Sequence, residues 1–430
     1  MPVITSTVRA AFLPLAVLMA AALTAHAQDE PSGKFTNWTK VDGSDQRRVY
    51  VDAMREANPN AFAGPVRDFA VDTVLPQLQE EINRSSIEVV RRKMRALLLD
   101  NVGDPKSFEA ASRAVLDFMM PLARDEKADP VVRINAVLLI GELRARDNKT
   151  SPWAGSLEPL TSLAGDAKLP LAIRIAAMAG LAGHVEAAQK KGTATAASLG
   201  KSLVPVFLPI INGPIAGDRT AGDWLTSRAL DMLPVVMPEL GAEAAAAPNK
   251  VLADQTRPTD VRVRAAAALG TAARAASGID AGQAISAIRA LAIAAIEADL
   301  RTAEQRAGIG PAAAAPVAAV GVNPADGPAP AKIQSLSESV VRRAAWRLAV
   351  LARAIGAEEG KGGLVELMPE NQKVAARDLA AALLQGSQDL DLAPVEETMR
   401  SVLDSLRSPA AEEQPAAAAE GKAAADPFGK

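Results

Sequence analysis

The chain of 430 residues contains no cysteine. That excludes disulfide bonds, thiolate metal sites and cysteine nucleophiles. Aromatic residues make up only 3% of it, with a single tyrosine, so bases of a nucleic acid would find few surfaces to stack on. No excess of basic charge attracts a phosphate backbone either: 47 Lys and Arg stand against 50 Asp and Glu, a formal net charge of −3. Nucleic acid is therefore not an expected partner. Histidine is nearly absent, with only His26 and His184. No G-x-G-x-x-G, Walker loop, H-E-x-x-H or EF-hand pattern occurs, and no cofactor or metal is expected.

What is present is alanine and aliphatic side chains. Hydrophobic residues form 49% of the chain. Alanine is the best helix former, whereas strands favour β-branched and aromatic residues, so the composition predicts an all-α protein. Helical periodicity runs with short Pro, Gly and Asp punctuation, and no segment alternates as a strand would.

The first 27 residues read as a cleavable export signal: Arg9, an apolar stretch from Ala10 to Ala25, then the small-x-small pattern Ala25-His26-Ala27. No later segment is read as long and apolar enough to span a membrane, so the processed chain is expected in the periplasm or outside the cell, not crossing a bilayer. Residues 28–44 are polar and read as a flexible lead-in, followed by helical repeats over 45–306. Residues 307–333, with Pro311, Pro316, Pro324, Pro328 and Pro330, form a disordered Pro/Ala-rich insertion. Helical pattern resumes over 334–407, and 408–430 reads as a disordered tail. A further loop is expected over Glu186–Lys201, around Lys190-Lys191-Gly192-Thr193.

One pattern recurs. Val90-Arg91, Val132-Arg133, Ile173-Arg174, Val261-Arg262 and Val341-Arg342 each open a helix, and Ala136, Ala177, Ala265 and Ala345 follow three residues after the last four arginines. The arginines fall about 40–44 residues apart, or at twice that distance, which is the period of paired-helix arrays. Trp224-Leu225, Arg228-Ala229 and Leu233 fit a missing unit, and Val374–Leu384 a last, atypical one. In the helix after Pro130, Val132, Ala136, Leu139, Ile140 and Leu143 share one face. Burying them contributes on the order of 10 kcal/mol. Ordering the helix costs at least about 14 kcal/mol in backbone entropy, so one pair cannot stand alone and must be covered by neighbours.

The run Phe118-Met119-Met120-Pro121-Leu122, Asp129-Pro130-Val131-Val132-Arg133, Ala136, Gly141 resembles the HEAT repeat family, related to the armadillo repeats. The resemblance implies an all-α right-handed superhelix, an α-solenoid of about six to eight helix pairs. It implies that Arg91, Arg133, Arg174, Arg262 and Arg342 bond an aspartate of an adjacent turn, Asp129 among them, as a structural ladder. The functional alternative is a basic ridge of Arg91, Arg92, Arg95, Arg342, Arg343 and Arg347 facing an acidic partner, with Trp346 as a candidate anchor.

His184 has no carboxylate or nucleophile at a supporting spacing and reads as a helix C-terminal residue. Adjacent carboxylates such as Glu80-Glu81 point in different directions on a helix and make poor acid/base pairs. The leading expectation is an exported, non-catalytic scaffold or adaptor binding a protein or peptide. The alternatives are a carboxylate- and arginine-based enzyme or ligand carrier, and an architectural protein of the cell envelope.

Overall fold

The computed structural model describes residues 38–147, 151–213, 217–236, 242–272, 279–308, 334–356, 362–390 and 395–407. The export signal at 1–27, most of the Pro/Ala-rich insertion and the tail at 408–430 lie outside these residues. Among the described residues the protein is all-helical, with no strand. It divides into two compact units, residues 1–149 with 153–156, and residues 150–152 with 157–430.

The first unit holds α1 (Asp45–Arg55), α2 (Ile87–Leu99), α3 (Pro105–Arg124) and α4 (Pro130–Gly141). Its helix starts follow local chemistry. Ser44 caps α1 through the amide of Gln46 (3.1 Å). Asp104 accepts from Lys106 and Ser107 at the head of α3, and Asp129 accepts from Val131 (2.8 Å) at the head of α4. Pro105 and Pro130 occupy first-turn positions where a missing amide hydrogen costs nothing. Between α1 and α2 the chain tightens through a π-helical turn (Phe69–Val74) and a 3-10 turn (Leu75–Leu78). This segment drives Phe69, Leu75 and Leu78 into a core with Tyr50, Met94 and Leu98. The Tyr50 hydroxyl donates to the Leu98 carbonyl (3.0 Å), and burial pushes its pKa up. Order begins earlier than the expected lead-in allows. Thr39–Asp42 forms a helical turn, and Trp38 and Val41 are buried, because two apolar side chains suffice to dock a polar segment. Conversely the apolar Val131, in the first turn of α4, is exposed.

The second unit contains α5 (Leu157–Gly165), α6 (Leu171–Lys191), α7 (Thr193–Asn212), α8 (Arg219–Val236), α9 (Ala242–Ala253), α10 (Thr259–Ala272), α11 (Ala281–Gly308), α12 (Gln334–Ile355), α13 (Glu370–Asp389) and α14 (Val395–Arg407). Each odd-numbered helix from α5 to α11 packs on the helix that follows it. In addition α6, α8, α10 and α12 touch in that order, and α5, α7, α9 and α11 touch in that order. The two rows therefore run side by side. Beyond them, α13 packs on α12, and α14 packs on α11 and α13. Small residues allow close approach: a Cβ at Gly270 in α10 would collide with the Ala354 backbone in α12, and one at Gly200 in α7 with the Val236 carbonyl in α8. Ala136, Ala177 and Ala265 are fully buried, as the repeat predicts. In α12 the buried small residue is Ala344, whereas Ala345 is only half-buried.

Two sequence expectations are corrected here. The loop over Glu186–Lys201 is helix: α6 continues to Lys191, the single residue Gly192 turns the chain at φ 106°, and α7 begins at Thr193. Lys190 and Lys191 sit in the last turn of α6, where positive charge favours the helix end. Secondly, among the described residues three helices are long and apolar enough to cross a membrane: Leu171–Lys191, Thr193–Asn212 and residues 281–302 of α11. Their hydropathy is spread thinly over many alanines, which is why a scan for strongly apolar runs passes over them.

Candidate functional site

The arginines that mark the repeat do two different jobs. Three hairpins, α3/α4, α5/α6 and α9/α10, share one turn. Asp125, Asp166 and Asp254 each follow the first helix and accept, through the side chain, the amide hydrogen two residues on (2.9, 3.0 and 2.9 Å). The amide three residues on bonds the aspartate's own carbonyl, at 3.1 Å in each case. Eight residues after the aspartate comes the arginine. Its Nε donates to the carbonyl of the penultimate residue of the first helix: Arg133 to Ala123 (3.1 Å), Arg174 to Ala164 (3.0 Å) and Arg262 to Leu252 (2.9 Å). These bonds satisfy a carbonyl that the helix end leaves open. Burial pulls the Arg174 and Arg262 guanidiniums down from their usual range, while Asp166 and Asp254 pull them back up.

The expected ladder to Asp129 is thus corrected. Asp129 caps α4 and faces Arg84 (3.5 Å), and the recurring arginines hold a backbone carbonyl within their own hairpin. Arg91 differs from its counterparts. It is buried and runs between helices, from α2 to Asn135 of α4 and to Glu142 (3.0 Å) just beyond it. Arg342 lies exposed on α12.

A second set of arginines links the row α8, α10, α12. Trp224, Arg228 and Asp231 lie on α8, Asp260 and Arg264 on α10, and Arg343, Trp346 and Arg347 on α12. Arg228 stacks on the Trp224 ring (5.0 Å) and reaches Asp231 (3.5 Å). Arg264 crosses from α10 to grip both Asp231 oxygens (2.5 and 2.6 Å), and its guanidinium covers the Trp346 ring at 5.3 Å. Next to Trp346 in the chain, Arg347 is buried between two carboxylates, Asp260 (2.7 Å) and Asp299 of α11 (2.7 Å). Burial pushes the Asp231 carboxyl up, opposed by Arg264 and Arg228. Burial does the same to Asp299, opposed chiefly by Arg347 and more weakly by Arg343.

The expected basic ridge draws on residues of both units. Arg91, Arg92 and Arg95 belong to the first unit and Arg342, Arg343 and Arg347 to the second. Arg91 and Arg347 are buried ion-pair partners, because a carboxylate waits for each on a neighbouring segment. Arg92, Arg342 and Arg343 are exposed, and Arg95 and Trp346 are half-buried. His184 lies within α6, seven residues before its end and buried, rather than at the helix terminus. Among the described residues no group of three or more His, Cys, Asp or Glu side chains converges in a way that could hold a metal ion.

Sequence reasoning missed the aspartates at 125, 166 and 254, although their constant distance from the arginines was in plain view. It also missed Asp231, Asp260, Arg264 and Asp299, whose partners are distant in the chain. The α8–α10–α12 face brings together guanidinium groups, two indole rings and the carboxylates of Asp231 and Asp260. Compared with known proteins, the chain matches no protein family and resembles no curated protein.

Proposed function

We propose that the protein is an exported, non-catalytic scaffold, a right-handed HEAT-like solenoid that binds a protein or peptide on the open side of its second helices. The observation that supports this most is the packing order of the second unit: α6, α8, α10 and α12 in one row, α5, α7, α9 and α11 in the other. Two such rows make an extended surface on which side chains from successive helices line up, as Trp224, Arg264 and Trp346 do. Export rests on the signal pattern at Met1–Ala27. The apolar helices α6, α7 and α11 are read as members of the packed rows, not as membrane spans: α6 buries Arg174 and His184, and α11 buries Asp299.

A photo-reactive residue placed at Thr220, Arg228 or Arg343 in the native host tests this reading. A scaffold gives a discrete cross-linked protein or peptide from that face, and N-terminal sequencing of the exported chain begins at Gln28. Cross-links to lipid alone, or turnover of a small molecule by the purified chain, would overturn it.

A further inference from the structure

Three tryptophans lie beneath an arginine, and only one of these sets is complete. In the first unit Trp153 is buried under Arg113 (5.5 Å), and its indole nitrogen donates to Glu109 (2.7 Å). Glu109 and Arg113 are one turn apart on α3, so a single helix face supplies both the cation for the ring and the carboxylate for its N–H. Gly155 makes room, since a Cβ there would overlap the ring. In the second unit Trp224 under Arg228 and Trp346 under Arg264 repeat the arginine-on-indole stack. Both rings are half-buried, and among the described residues no acceptor meets either indole N–H. Their two guanidiniums share one carboxylate, Asp231, and Arg343 stands exposed one turn from Arg347 on α12. Four arginines, Arg228, Arg264, Arg343 and Arg347, stand here against three carboxylates, Asp231, Asp260 and Asp299, which leaves a positive excess beside the two indole N–H groups.

We propose that the α8–α10–α12 face binds an extended acidic peptide segment, whose carboxylates take at Trp224 and Trp346 the place that Glu109 takes at Trp153. The inference rests on the scaffold reading and names the chemistry of its partner. Neighbouring packed helices lie about 8–10 Å apart, so the two rings, two helices apart, are separated by roughly 16–20 Å. An extended chain rises about 3.3 Å per residue, so the two acidic residues stand about five or six positions apart.

The test is selection of random twelve-residue displayed peptides on the whole purified protein. The expected result is enrichment of Asp or Glu at two positions with that separation. A selected peptide, synthesised, should then lose about tenfold or more in affinity when its acidic residues become Gln, as loss of a charged hydrogen bond predicts. The variant carrying Trp224→Phe and Trp346→Phe keeps both rings for stacking but removes the indole donors, and should weaken binding by a similar factor. Should that variant melt early, the Glu-to-Gln comparison on the unaltered protein carries the test. Enriched peptides without acidic residues would overturn the acidic partner and leave the scaffold standing. Undiminished binding by the Phe variant would overturn the face. Equal affinity for a twelve-nucleotide single-stranded DNA would overturn the peptide. A selection that enriches nothing would overturn the scaffold as well.

Discussion

The hairpins α3/α4, α5/α6 and α9/α10 hold themselves closed with an arginine that reaches back to the preceding helix. Two other arginines on second helices, Arg264 of α10 and Arg347 of α12, instead meet carboxylates and a ring on neighbouring helices. Helix α10 belongs to both sets, with Arg262 turned back and Arg264, two residues later, turned sideways. The difference teaches that one residue type serves two levels of the fold. A backward arginine fixes the angle within a pair, because a carbonyl at a helix end is always available. A sideways arginine fixes the order of pairs, and it needs a specific acidic partner on another helix.

This contrast can be broken by mutation. The largest effect is expected for Arg347→Ala, which strands the buried Asp299 beside Asp260. Removing one partner of a buried ion pair costs about 3–5 kcal/mol, and the loss should appear in chemical denaturation as a lower midpoint. Adding Asp299→Asn should recover part of it, and no recovery would mean that Arg347 acts by packing alone. A smaller effect is expected for Arg174→Ala, which removes one charged hydrogen bond to a backbone carbonyl, about 1.5–3 kcal/mol. Arg92→Ala, beside the buried Arg91, should stay within about 0.5 kcal/mol because that side chain is exposed. Equal losses at the two positions would erase the distinction between them.

The smallest effect is a pH dependence. Burial raises the carboxyls of Asp231 and Asp299, so the folded chain holds these protons more tightly than the unfolded one. Stability from these groups therefore increases as pH falls through the window just above the ordinary carboxylate range, and decreases as pH rises through it. The Asp299→Asn variant should lack its share of that slope when melting is followed between about pH 4 and 6. A native slope of the opposite sign from this residue would show that the Arg347 pair outweighs burial.

The sequence disclosed the helical class and three of the arginine hairpins, because both depend on local composition and spacing. It pointed to the wrong partner, since a backbone carbonyl has no letter of its own and Asp129 beside Pro130 drew the eye from Asp125. It also misplaced α12. There the buried stripe runs through Val340, Val341, Ala344, Arg347, Leu348 and Leu351, which leaves Arg342 outside and brings Arg347 in. The Arg347 bond to Asp260 spans 87 residues. No local spacing encodes such a contact, which follows from the packing of α10 against α12. Gly192 shows the same limit at short range, for one glycine with positive φ did the work assigned to a long loop.

The central claim is that the second helices stand in a single ordered row. The native chain has no cysteine, so spin labels can be placed at will on introduced ones. With one label at Ala172 in α6 and the other at Thr220, Thr259 or Arg342, the distances should rise in that order, by roughly 8–10 Å at each step. A distance from Ala172 to Arg342 shorter than that from Ala172 to Thr259 would contradict the row.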